Sequence, residues 1–121
     1  MPPEITPLGK FLRKLRIDRG EILRNMAERL NVTVSFLSAV ETGRKTMPSK
    51  WNSDICREYR LEGSDADAFT KAVAETTPIV ELRIRELPAE SRTLAVEFAR
   101  RINSFSPSQR KRLGEFMKGG K

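Results

Sequence analysis

With 121 residues, 38% of them hydrophobic, the chain has the length for one compact domain and an appendage but not for two large cores. Its formal charge of +7 makes a polyanion the natural partner, and its single cysteine, Cys56, excludes an internal disulfide framework. Having no His and one Cys, it cannot assemble the usual zinc sets or a Ser-His-Asp or Cys-His nucleophile; with no Gly-rich phosphate loop either, neither an enzyme nor a cofactor is expected.

Charge is unevenly placed, with basic residues in excess over 1–50 and 79–121 and acidic residues in excess over 51–78. No apolar run reaches the length of a membrane span or a signal segment, so the expectation is a cytoplasmic protein with no membrane partner. Helix-length windows between Gly and Pro, with strand-like alternation only once, predict an all-α fold.

Residues 1–6 are Pro-rich and read as a flexible arm. Over 7–19, Leu8, Phe11, Leu12 and Leu15 recur at helical spacing behind Pro7 in the first turn, and Gly20 ends the helix. A second helix carries Ile22, Leu23, Met26, Ala27 and Leu30 on one face and stops at Asn31. Thr33 has the chemistry of an N-cap for a third, whose stripe is Phe36, Leu37 and Val40 and whose end is Gly43.

Pro48 and Ser49 are expected to open a fourth helix with Trp51, Ile55 and Tyr59 inward. Ser64 and Asp67 read as a capping-box variant before a fifth, bearing Phe69, Ala72 and Val73, which Pro78 closes. Val80, Leu82 and Ile84 then alternate with charged residues, the period of a short strand. Two more helices follow: one over 88–103 with Leu94, Ala95, Phe98, Ala99 and Ile102 inward, and one from Ser106-Pro107 bearing Leu113, Phe116 and Met117. The last residues, 118–121, are expected to fray.

The stretch 26–43 carries the functional expectation. Ala27 is small where two helices must approach, Asn31 tolerates a left-handed backbone, and Val32 plugs the angle between the helices, the logic of a helix-turn-helix. An α-bundle core also contains such pairs, so spacing alone leaves both readings open. Residues 8–73 further resemble the helix-turn-helix domain of the lambda/434 repressor and Cro superfamily, the xenobiotic-response-element type. The matching features are Leu12-Arg13-x-Leu15-Arg16-x-x-x-Gly20, Met26-Ala27-x-x-Leu30 and Leu37-Ser38-x-Val40-Glu41-x-Gly43-Arg44-Lys45-x-x-Pro48.

That resemblance implies a structural bridge between Arg16 and Glu41. It also implies a reading face made of Thr33, Val34, Ser35, Ser38 and Ala39, directed at the major groove. These side chains are short: Val34 and Ala39 offer only apolar contact, for instance to a thymine methyl, and Ser35 is the best hydrogen-bonding candidate. Where the family carries a Ser/Thr cap and a phosphate-binding Gln, this chain has Ile22 and Leu23. Phosphate contacts are therefore expected from Arg24, Arg44, Lys45 and Lys50, the alternative for each being a solvated surface cation.

The reading is a five-helix repressor-like DNA-binding domain over 7–77. A short strand and two helices over 78–121 follow as a dimerisation or interaction extension, through Val80, Leu82, Ile84, Leu94, Phe98 and Ile102. The expected partners are double-stranded DNA, as an inverted-repeat operator, and a second copy of the chain. The expected function is that of a dimeric repressor. The alternative is an antitoxin or other interaction module whose C-terminal region binds a toxin or another protein, and for the strand the alternative is that it folds back on its own domain.

Overall fold

The computed structural model describes residues 4–119. Expectations for 1–3 of the arm and for 120–121 of the tail lie outside the described residues. The described chain forms seven α-helices in two compact units, Met1–Glu81 and Leu82–Lys121. In the first unit these are α1 (Pro7–Asp18), α2 (Leu23–Arg29), α3 (Val34–Glu41), α4 (Trp51–Glu58) and α5 (Gly63–Thr76). Their apolar faces meet in one core that includes Leu8, Leu12, Met26, Leu37, Val40, Trp51, Ile55 and Phe69. Two ring contacts tie its edges: Phe11 lies 5.5 Å from Phe69, and Phe36 meets Trp51 edge-on at 5.9 Å.

The start of α1 is fixed more firmly than a flexible arm allows. Thr6 caps the helix, its Oγ1 accepting from the Gly9 N–H at 3.0 Å. Both its N–H and its hydroxyl donate to the Glu41 carbonyl at the end of α3, at 3.0 and 2.9 Å. The Leu8 N–H donates to Thr76 Oγ1 at the end of α5, also at 3.0 Å. Gly9 is required by the resulting closeness, since a Cβ there would stand 2.2 Å from the Glu41 carbonyl oxygen.

Two helix starts differ from the sequence expectation. Pro48 and Ser49 lie in a turn ahead of α4, in which the Trp51 N–H bonds back to the Pro48 carbonyl at 3.0 Å, so the helix opens at Trp51. Ser64 lies inside the first turn of α5 instead of capping it. The Asp65 N–H already bonds to the Glu62 carbonyl at 3.1 Å, which puts the cap at Glu62 without a side-chain bond.

The expected strand is a correction. Among the described residues no strand is present, and 79–84 are irregular. Val80 and Leu82 are 77% and 65% exposed and Ile84 is half-buried, so no face of the run is covered. Alternation sets which way side chains point, but a strand also needs a neighbour for its backbone donors and acceptors, and the described residues supply no second extended segment.

The second unit holds α6 (Ala89–Arg101), a 3₁₀ turn (Ile102–Ser104) and α7 (Pro107–Met117). The start of α7 is a reciprocal capping box: Gln109 N–H donates to Ser106 Oγ at 3.2 Å, and Ser106 N–H donates to Gln109 Oε1 at 2.8 Å. Phe98 of α6 lies 5.9 Å from Phe105 in the connection. Leu94, Phe98, Phe105, Leu113 and Phe116 line one groove, and no described residue of this unit is buried.

Candidate nucleic-acid interface

The α2–turn–α3 segment is built by local chemistry. The Ile22 N–H donates to Asn25 Oδ1 at 2.9 Å and starts α2. Asn31 takes the left-handed conformation, φ 56°, just after the helix ends. The Val32 N–H then reaches back to the Ala27 carbonyl at 3.0 Å, and Val32 packs against the core. Thr33 Oγ1 accepts from the Phe36 N–H at 3.0 Å and caps α3. Ala27 is buried in the core to which both helices contribute.

Arg16 and Glu41 hold α1 against α3. Arg16 Nη1 is bonded to Glu41 Oε2, and Nη2 donates to Oε1 at 3.2 Å; Nη1 also lies 3.2 Å from the Met26 sulfur. The two residues are only 6% and 3% exposed, so a bidentate ion pair sits inside the domain. Neither residue lines the concavity formed by the candidate readers.

Of the five candidate readers, Thr33, Val34 and Ser35 are exposed and Ser38 is half-buried. Ala39 is 9% exposed, because residues 42–45 fold back over it and the Arg44 and Lys45 N–H groups both donate to its carbonyl, at 2.8 and 3.1 Å. That fold-back carries two cations to the reading face. Val34, Ser35, Ser38, Ala39, Arg44 and Lys45 line a single concavity together with Leu23, the residue that stands where the family carries a polar side chain. Thr33, the N-cap of α3, does not line that concavity and instead lines a second one with Asn31, Phe36 and Lys50.

The four cations differ in freedom. Arg24, Arg44 and Lys45 are exposed and, among the described residues, ion-paired to no carboxylate; Arg44 Nε donates only to Thr42 Oγ1 at 3.3 Å. Lys50 is also exposed, yet lies 3.9 Å from Asp54, a carboxylate that competes with any phosphate.

A polar cluster on the opposite side of α2 had no sequence signal. Glu21 accepts from the Tyr59 hydroxyl at 2.7 Å and from Arg29 Nε at 2.8 Å, while Arg19 donates to the Tyr59 carbonyl at 2.9 Å. The Arg19 and Arg29 guanidiniums stand over the Tyr59 ring, 5.5 and 5.1 Å from its centre. Burial, and then the hydrogen bond to Glu21, push the Tyr59 phenol well above its ordinary value. The cluster braces the α1–α2 turn against α4. Thr6, by contrast, was findable, because a Thr directly before a Pro at the first helical position is a cap signature.

A short α2, a tight turn and an α3 with one face left open between unpaired cations form a helix-turn-helix. The chain belongs to the helix-turn-helix domain family, whose model matches residues 7–69. Among curated proteins it is similar to the transcriptional regulator ClgR of Mycobacterium tuberculosis, in strains CDC 1551 / Oshkosh and ATCC 25618 / H37Rv. Each is 35% identical over 54 residues, which cover 45% of this chain and 48% of the relative, so the chain spans about half the length of the curated relatives it matches. No solved structure matches it.

Proposed function

We propose that the protein is a sequence-specific DNA-binding transcriptional regulator of the Cro-like kind, a cytoplasmic repressor acting as a homodimer on an inverted-repeat operator. The observation that carries this is the concavity on α3, where Val34, Ser35 and Ser38 are flanked by Arg44 and Lys45 with no acidic partner. Short side chains admit a base edge, and the free cations supply the phosphate contacts that set position on the duplex. Family membership and the likeness to a protein named as a transcriptional regulator support the same reading.

The dimer is proposed through the helices of the second unit, without the strand. Leu94 and Phe98 face a groove with Phe105, Leu113 and Phe116, while Ile102 falls in the 3₁₀ turn and is not part of that lining. A two-helix unit with nothing buried among its described residues gains a core by covering this groove with another copy. Glu97, Glu115, Arg101 and Arg112 also line it, so both signs of charge are available for ion pairs with a second copy. An inverted-repeat operator read in successive major grooves requires two reading helices roughly 34 Å apart.

Footprinting the full chain on the DNA upstream of its own gene tests the reading. The expected result is one protected inverted repeat at a concentration where unrelated duplex is unprotected. Protection without sequence preference contradicts it.

A further inference from the structure

We infer that Leu23 and Val34 form an apolar jaw that reads the C5-methyl group of a pyrimidine, so that the protein distinguishes thymine from uracil and 5-methylcytosine from cytosine. The inference rests on the proposed docking of α3 in the major groove and says what is read there.

Leu23 opens α2 and Val34 opens α3, and the fold brings both onto the concavity that holds Ser35, Ser38, Arg44 and Lys45. Val34 is 41% exposed and stands outside the buried core, while Leu23 packs on the core and keeps part of its surface open to the concavity. Two branched apolar side chains therefore line the place where a base edge would lie.

The polar groups beside them discriminate weakly. A serine hydroxyl both donates and accepts, so Ser35 and Ser38 suit either kind of base edge. Arg44 and Lys45 are on the fold-back loop that edges the same concavity, suited to phosphates, which carry no sequence information. In the major groove the apolar feature of a base edge is the pyrimidine C5-methyl. Leu23 and Val34 can thus contribute selectivity only through that group. Covering one methyl is worth about 0.8 kcal/mol, which corresponds to about fourfold in affinity for each methyl enclosed.

The test uses the full chain and a duplex selected by it from a random pool. Each thymine is replaced in turn by deoxyuridine, which removes only the methyl group, and affinity is read by fluorescence anisotropy at fixed salt. One or two positions per half-site should weaken binding about fourfold, and 5-methylcytosine in a C·G pair at the same position should bind more tightly than cytosine. Val34→Ala, at an exposed position, should abolish the difference between thymine and uracil while leaving the melting temperature unchanged. Leu23→Ala should act in the same direction.

Equal affinity for thymine and uracil duplexes at every position overturns the jaw and leaves the regulator reading intact. So does a difference that survives in Val34→Ala. Failure to bind any duplex overturns both.

Discussion

Replacing Glu41 by Ala leaves the Arg16 guanidinium inside the domain with the Met26 sulfur as its remaining side-chain hydrogen-bond partner among the described residues. Removing one member of a buried pair typically costs about 3–5 kcal/mol, because the loss is set by the stranded charge and not by the bond. Arg16 lies along α1, and its three-carbon stem lets the head swing toward water, so the lower end, about 3 kcal/mol, is expected. In a domain of this size that lowers the melting temperature by roughly 12–24 °C, as read by circular dichroism. Joint replacement, Arg16→Met with Glu41→Leu, removes both charges and should recover most of the loss. The exposed Lys14–Asp18 pair at 2.9 Å is the contrast: Asp18→Ala should cost no more than about 0.5 kcal/mol. If Glu41→Ala and Asp18→Ala lowered stability equally, the ion pair would not be the tie between α1 and α3.

Gly9→Ala should destabilise by about 1–3 kcal/mol, since the added carbon meets the Glu41 carbonyl, whereas Gly114→Ala, with nothing within 4 Å, should leave the melting temperature unchanged or raised; equal effects would contradict the packing. Tyr59 is the only tyrosine, so the ultraviolet absorbance of tyrosinate reports it alone. Because its folded value is raised, its contribution to stability is complete below the ordinary phenol value of about 10 and is lost as pH rises beyond that through the folded value. At about pH 10.5 the folded protein should show little tyrosinate, and titration at the ordinary value would refute the burial of the phenol together with its Glu21 contact. Deleting residues 82–121 should leave a cooperatively melting monomer, while the full chain scatters light as a dimer; a full-length monomer at micromolar concentration sinks the dimer proposal.

How much could be read in advance depended on the range of the interactions. Asn31 and Gly43, through their backbone preferences, and Thr33, through its side-chain cap, mark the end of α2 and the two ends of α3, and all three act within a few residues and are visible in a single sequence. Gly9 is silent there, because its reason is a carbonyl on α3 that only the folded chain brings near. The Glu21–Tyr59 bond likewise joins residues 38 apart and leaves no spacing to detect. The expectation of an Arg16–Glu41 bridge came from resemblance and not from periodicity. At 79–84 alternation suggests a strand but says nothing of a backbone partner, and no strand forms there among the described residues. Leu23 reads in the sequence as the loss of a polar contact, and only the fold shows that it lines the same concavity as Val34.

The salt dependence of duplex binding by the full chain, compared with the Arg44→Ala, Lys45→Ala double variant, tests the central claim most directly. Each neutralised phosphate contributes about −0.9 to the slope of log affinity against log salt. The account predicts a steep slope that the double variant makes shallower by about two units, with weaker binding to selected and random duplex alike. A flat salt response, or a double variant with unchanged affinity and slope, would contradict it.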